Sequence, residues 1–174
     1  MKKTLLLLLL LALSTSIFSQ QEYIKKAKDY SQRRLYSYCV KEADKAIESD
    51  STNSKYYWIR SKCLIYEKQY DKAIADVNKV ISLENPTSAM YKRKGSAHFY
   101  KAEHLTDLAR YYKPKKSEDD FSDKKEDNTK ANFLKTAKDN YKSALLNYEK
   151  AIQISPDLEI ELKNIIAKAK NKLN

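Results

Sequence analysis

Histidine is scarce in this chain of 174 residues, where His98 and His104 are the only two. Standing six residues apart, they point to different faces of a helix, whereas a helical metal site takes its ligands at i and i+4. His104 with Asp107 one turn on is the single pair of acid–base composition, and an ordinary surface contact accounts for it. Nucleophilic chemistry has no better footing. The sequence holds no nucleophile elbow, no phosphate-cradling glycine loop and no Cys/His cluster. A chain whose one glycine is Gly95 has little means of building such loops. These residues imply no catalytic site, no metal and no cofactor, which leaves binding as the kind of function to look for.

Whatever does the binding must be held by helices. One Gly and three Pro argue against a sheet-rich or turn-rich architecture, and 42% apolar residues supply enough matter for a core. The length, less a leader, falls in the usual range for one small domain. Met1 to Ser19 has the three parts of a secretory signal: Lys2 and Lys3, the apolar run Leu5 to Leu13, and a short polar stretch before Ser19. The apolar run is too short to cross a bilayer comfortably, which takes ~20 residues, so cleavage after Ser19 is expected and a retained anchor is the alternative. No cysteine lies near the cut to accept a lipid. The mature chain is expected to be periplasmic or secreted, with no membrane span. The net charge of +11 falls when Lys2 and Lys3 are removed, to 32 basic against 23 acidic residues. That favours an anionic partner only weakly.

The segment Ser54 to Thr87 reads as one helix-turn-helix unit. Apolar residues keep helical spacing through Tyr57, Ile59, Cys63 and Leu64, break at Gln69 to Asp71, resume through Ala73, Ile74, Val77, Val80, Ile81 and Leu83, and stop at Asn85-Pro86. Gln20 to Asn53 aligns with it at a shift of 34 residues, and a third copy begins at Ser88. Tyr23, Tyr57 and Tyr91 open the first helices. Ala27, Ser61 and Gly95 stand one turn on, where two helices must approach closely. Tyr36, Tyr70 and Tyr141 enter the second helices, followed by the small residues Cys39, Ala73 and Ala144. Ala46, Val80 and Ala151, each before an isoleucine, close them.

This pattern resembles the tetratricopeptide repeat. The resemblance covers nearly all of the mature chain and implies an all-α, tetratricopeptide-like superhelix of antiparallel helix pairs, with repeats at 20–53, 54–87 and 88–156. The first copy is the weakest match, with Asp29 where a small residue belongs and Ser51 in place of proline, as befits a terminal copy. In the third, the second helix starts 37 residues late, so an insertion lies at about 100–140. Its flanks stay helical in pattern, through Leu105, Leu108, Ala109 and Tyr112, then Phe133, Leu134 and Ala137. Lys113 to Lys130 reads as a solvated link, and the whole as two over-long antiparallel helices. Residues 157–173 form a closing helix with Leu158, Leu162, Ile165, Ile166, Ala169 and Leu173 on one face and a charge order that matches the helix dipole. Cys39 and Cys63 fall on neighbouring helices of such a stack. Export permits a disulfide, but the spacing does not set the geometry a bridge needs, and two buried thiols acting as small apolar fillers is the reading preferred.

The resemblance places a binding groove on the first helix of each copy, on the side away from the core columns. That side carries Ile24, Lys28, Ser31 and Gln32 in copy one, Trp58, Lys62, Ile65 and Tyr66 in copy two, and Lys92, Ser96, Phe99 and Tyr100 in copy three. Rings and lysines together suit a protein partner, a peptide or helix with acidic and apolar groups. The alternative is that the rings pack on the closing or inserted helices. Family members that clamp a C-terminal carboxylate use lysines and asparagines, and here Ile59, Ala89 and Arg93 stand in those places, which disfavours such a clamp. The expectation is a non-enzymatic binding module or scaffold of the cell envelope. A binder of an anionic polymer, acidic polysaccharide or nucleic acid, is the alternative, although nucleic acid is not the expected partner.

Overall fold

The computed structural model describes residues 21–113 and 122–174, and side chains throughout these except at 122–127. The expected signal segment and the centre of the expected link lie outside the described residues. All regular structure among the described residues is helical. Helix α1 covers 21–32, and it is followed by α2 (Tyr36–Ser49), α3 (Ser54–Tyr66), α4 (Tyr70–Leu83), α5 (Ser88–Tyr111), α6 (Ser122–Ile154) and α7 (Leu158–Asn171).

The helix ends are set locally. The Asn53 side chain accepts the Lys55 backbone N–H at the start of α3, and Thr87 accepts that of Met90 at the start of α5. Such caps satisfy donors that have no partner within the helix. Between the helices of the first two copies the chain turns through a left-handed residue, Arg34 with φ 61° and Lys68 with φ 59°. These two positions are 34 residues apart, and their hydrogen bonds repeat: Leu35 N–H to the Tyr30 carbonyl at 2.8 Å, and Gln69 N–H to the Leu64 carbonyl at 2.9 Å. The repeat is therefore written in the backbone as well as in the side chains.

The chain divides into two compact units at Asn85/Pro86, where the second copy ends. The first unit holds α1 to α4 around Ala27, Cys39, Ala43 and Cys63, with Tyr30, Tyr36, Val40 and Ile59 packed on them. The small residues lie where the columns put them, since Ala27, Ser61, Cys39, Ala73 and Ala46 are fully buried. Cys39 and Cys63 are not free thiols. They form a disulfide between α2 and α3, their Cα atoms 6.3 Å apart, which corrects the reading of two thiol fillers. The helix packing brings the two Cβ atoms within the reach of a bridge, information that sequence spacing does not contain. Tyr57 is 8% exposed and donates from its hydroxyl to the Ser51 carbonyl at 3.1 Å.

The second unit pairs the 24-residue α5 with the 33-residue α6 and adds α7. Gly95 sits where these helices come closest. A Cβ built there stands 2.7 Å from the Tyr148 ring, so in this copy the position has no room for the alanine or serine of the other two. Phe99, Ala102, Ala137, Tyr141, Ala144, Tyr148 and Ala151 form the core, and Leu162 and Ala169 of α7 join it. Leu158, Ile165, Ile166 and Leu173 pack beside them, so α7 lays its apolar face on the unit, as expected of a closing helix. The expected link is shorter than read, because α6 begins at Ser122 and makes helix of residues 122–129.

Candidate functional site

On the first unit the face of interest belongs to α1 and α3. A helix advances about 100° per residue, so Trp58, Lys62, Ile65 and Tyr66 share one side of α3. Tyr57 occupies the next side and is buried, whereas Trp58 and Ile65 are half-buried and Lys62 is exposed. Tyr66 is 56% exposed, yet its ring is not loose, since it stacks on Tyr36 of α2 with centroids 4.3 Å apart and planes 7° from parallel. One ring face is thus held against the protein and the other is presented outward. On α1, Ile24 is half-buried and Lys28 exposed.

The corresponding face of α5 behaves differently. Phe99 was expected to offer contact area to a partner, but it is 3% exposed and belongs to the core. It meets the Tyr141 ring edge-on at 5.8 Å, and the Lys168 ammonium lies 5.4 Å from its ring centroid. The reason is α7, which covers this side of α5 and makes an interior position of what is an outer one in the preceding copies. Lys92 is also engaged by α7, through a 2.7 Å ion pair with Glu161. Tyr100 stays 46% exposed.

Residues passed over in the sequence hold this scaffold together. Arg60 of α3 donates to both carboxylate oxygens of Asp76 on α4, at 2.8 and 2.6 Å, and to Asp44 of α2 at 2.7 Å. Burial raises the Asp76 carboxyl above its usual range against the pull of Arg60, and the hydrogen bond that Arg60 donates to Asp76 raises the guanidinium. One arginine therefore ties three helices through a fork-shaped donor set that lysine lacks. In a sequence these residues read as part of a solvated charged face. The available signal was position, since Asp76 stands one residue before the core residue Val77. In the second unit Glu103 of α5 accepts from the Tyr141 hydroxyl of α6 and from Lys168 of α7, the latter at 2.5 Å.

Among the described residues no group of three or more His, Cys, Asp or Glu side chains is placed to hold a metal ion. The ring nitrogen Nδ1 of His98 lies 2.9 Å from the Asn140 side-chain oxygen of α6, which makes this histidine a link between two helices. Asp107 pairs with Arg110 at 3.1 Å. No described helix is long and apolar enough to cross a membrane.

No family model matches the chain. No curated protein matches it either. Among solved structures, the TPR2B domain of yeast Sti1, in its complex with pHsp70, is similar at a TM-score of 0.54 and 17% identity. The match covers 89% of this chain and 98% of that one. The fold is the tetratricopeptide-repeat fold, as the repeat pattern implied.

Proposed function

We propose that this chain is an exported, non-enzymatic binding module that holds a peptide or helix bearing acidic and apolar groups. The observation that carries the reading is the face of α3. There a half-buried Trp58 and Ile65 adjoin the exposed Lys62 and a Tyr66 ring already fixed by stacking. Large rings that lose little freedom on binding, beside a lysine that draws in carboxylates, are the composition of an interaction hot spot. Ile24 and Lys28 extend the same chemistry to α1. On the second unit Tyr100 remains available to a partner, whereas Phe99 does not. Export is supported by the leader-like Met1 to Ser19, and a disulfide is at home in an oxidising compartment.

Trp58 is the only tryptophan, so its fluorescence reports this one site. In the free protein we expect the emission of a partly wet indole that responds to soluble quenchers. An extract passed over the immobilised chain should leave a protein bound to the wild type that is lost with Trp58→Ala and weakened with Lys62→Glu, while both variants melt near the wild type. A quencher-insensitive, blue-shifted Trp58 whose removal costs as much stability as a core residue defeats the reading. The excess of lysine supports a second reading, an anionic polymer held by charge. Salt separates the two: a polymer held by lysines is released steeply as salt rises, and a partner anchored by rings is not. N-terminal sequencing of exported material tests the leader. A start near Gln20 is expected, and an intact Met1 rules cleavage out.

A further inference from the structure

Every third residue of α3 from Tyr57 onward is tied back toward α2, and the four ties are chemically unlike. The Tyr57 hydroxyl donates to the Ser51 carbonyl at 3.1 Å, just past the end of α2. Arg60 donates to Asp44 at 2.7 Å. Cys63 is bonded to Cys39, and the Tyr66 ring stacks on Tyr36 with centroids 4.3 Å apart. The partners run backward along α2, as they must between antiparallel helices. The last two ties lie side by side, since Cys39 stands three residues after Tyr36 and Cys63 three before Tyr66, about one turn on each helix.

These two neighbours differ in what can undo them. Tyr36 is the first residue of α2 and Tyr66 the last of α3, so both rings sit at helix ends, which fray. With Tyr66 more than half exposed, a ring stack there is a weak contact by itself. The bridge one turn inward keeps both ends at stacking distance and makes the contact an intramolecular one of high effective concentration. We propose that the Cys39–Cys63 bridge is a redox latch on the α3 face. Closed, it holds the Tyr66 ring in the orientation offered to a partner; opened by a dithiol, it lets that ring go while the Arg60 clamp keeps α3 between α2 and α4. Its meaning for function rests on the reading of α3 as the binding face. The chemistry is a two-electron exchange. A thiolate of the dithiol attacks one sulfur, the S–S bond breaks through a mixed disulfide, and the second thiol closes the reductant's own disulfide, leaving Cys39 and Cys63 each with a hydrogen. Both cysteines are fully buried, so attack waits on a loosening of the α2–α3 junction. A monothiol bound in the mixed disulfide is expelled again by the neighbouring cysteine, which is why a dithiol is the reductant required.

The test reads the ring and needs no partner, so its failure is distinct from failure of the binding reading. In nuclear magnetic resonance spectra of the full, oxidised chain with isotope-labelled tyrosine, the Tyr66 ring protons, assigned with Tyr66→Phe, should stand upfield, displaced by the Tyr36 ring. Dithiothreitol, added below the melting temperature of the reduced chain, should remove most of that displacement and bring them to the position found in oxidised Tyr36→Ala, while circular dichroism stays helical. A bridge that only adds stability leaves the resonances unmoved until the melt. Should the reduced unit unfold, the coupling is read in the reciprocal direction. Tyr36→Ala in the oxidised chain should speed reduction of the bridge by dithiothreitol at least fivefold, followed by thiol titration, whereas Val77→Ala, buried on α4, should leave the rate within twofold. No upfield displacement in the oxidised chain, a displacement that survives reduction of the folded chain, or a reduction rate indifferent to Tyr36→Ala or raised equally by Val77→Ala overturns the proposal.

Discussion

Gly95 marks the point where the second unit tolerates least. A methyl group there must displace the Tyr148 ring, which is itself fully buried, or push α5 away from α6, since the Ala144 carbonyl lies 3.2 Å off on the other side. Overpacking of this kind costs about 1–3 kcal/mol. Gly95→Ala should therefore lower stability in chemical denaturation by up to about 2 kcal/mol, the overpacking cost less the about 1 kcal/mol by which alanine is the better helix former. Tyr57 makes the converse case. Tyr57→Ala empties a core site and removes the hydrogen bond to the Ser51 carbonyl, and a loss of about 3 kcal/mol or more in chemical denaturation is expected. Glu103 sets the response to acid. Burial pushes its carboxyl up, but the hydrogen bonds from Lys168 and Tyr141, with the charges of Lys168 and Lys172, leave it below its usual range. A carboxyl held lower in the folded state than in the unfolded one adds stability above the unfolded pKa, and that stability is lost as pH falls through the folded value. Thermal melts taken from neutral pH down through the acid range should thus converge: Glu103→Gln melts lower than the wild type at pH 7, and the gap closes below about pH 4.

Turns and helix ends show what a residue pattern conveys and what it withholds. Arg34 and Lys68 occupy a left-handed conformation that costs a side-chain-bearing residue about 1 kcal/mol, and glycine nothing. Lys68→Gly, exposed and outside the core, should raise stability by about 0.5–1 kcal/mol in chemical denaturation, and Arg34→Gly should act alike. The break itself was legible from Gln69 to Asp71. Its handedness was not, because the usual marker of such a turn is glycine and this chain has none to spare. The apolar columns located both halves of each copy and the buried face of α7, since burial at helical spacing leaves a period that survives exchange of one apolar residue for another. Three things left no period behind. Phe99 matches its column either as a groove residue or as a core residue, and only the course of α7 decides between them. The Arg60 clamp uses charges that look like any solvated face. The start of α6 lies in a polar stretch, with no apolar spacing to mark it.

At the scale of the whole molecule, the copies are unequal in how they are secured. The first two share a covalent tie and the three-helix arginine clamp, and the third relies on α7 and a long hairpin. A bridge that closes a loop with a sequence separation of 24 contributes about 3 kcal/mol by restricting the unfolded chain. Reductant in a thermal melt should lower the stability of the first unit by that order, and a variant with both Cys39→Ala and Cys63→Ala should melt low whether or not reductant is present. Equal melting of the oxidised and reduced wild type would refute the tie.

Because the bridge joins α2 to α3, tension applied at the two ends of the chain bypasses everything between Cys39 and Cys63. Force travels through the sulfur atoms, and the end of α2, the connecting turn and the start of α3 stay coiled behind them however hard the ends are pulled. Drawn out in an optical trap, the oxidised chain should come up short of the reduced one by about 80 Å of contour length, the span of those residues at full extension. A receptor strung between two moving bodies would in this way keep the α2–α3 turn closed while the rest of its length gave way.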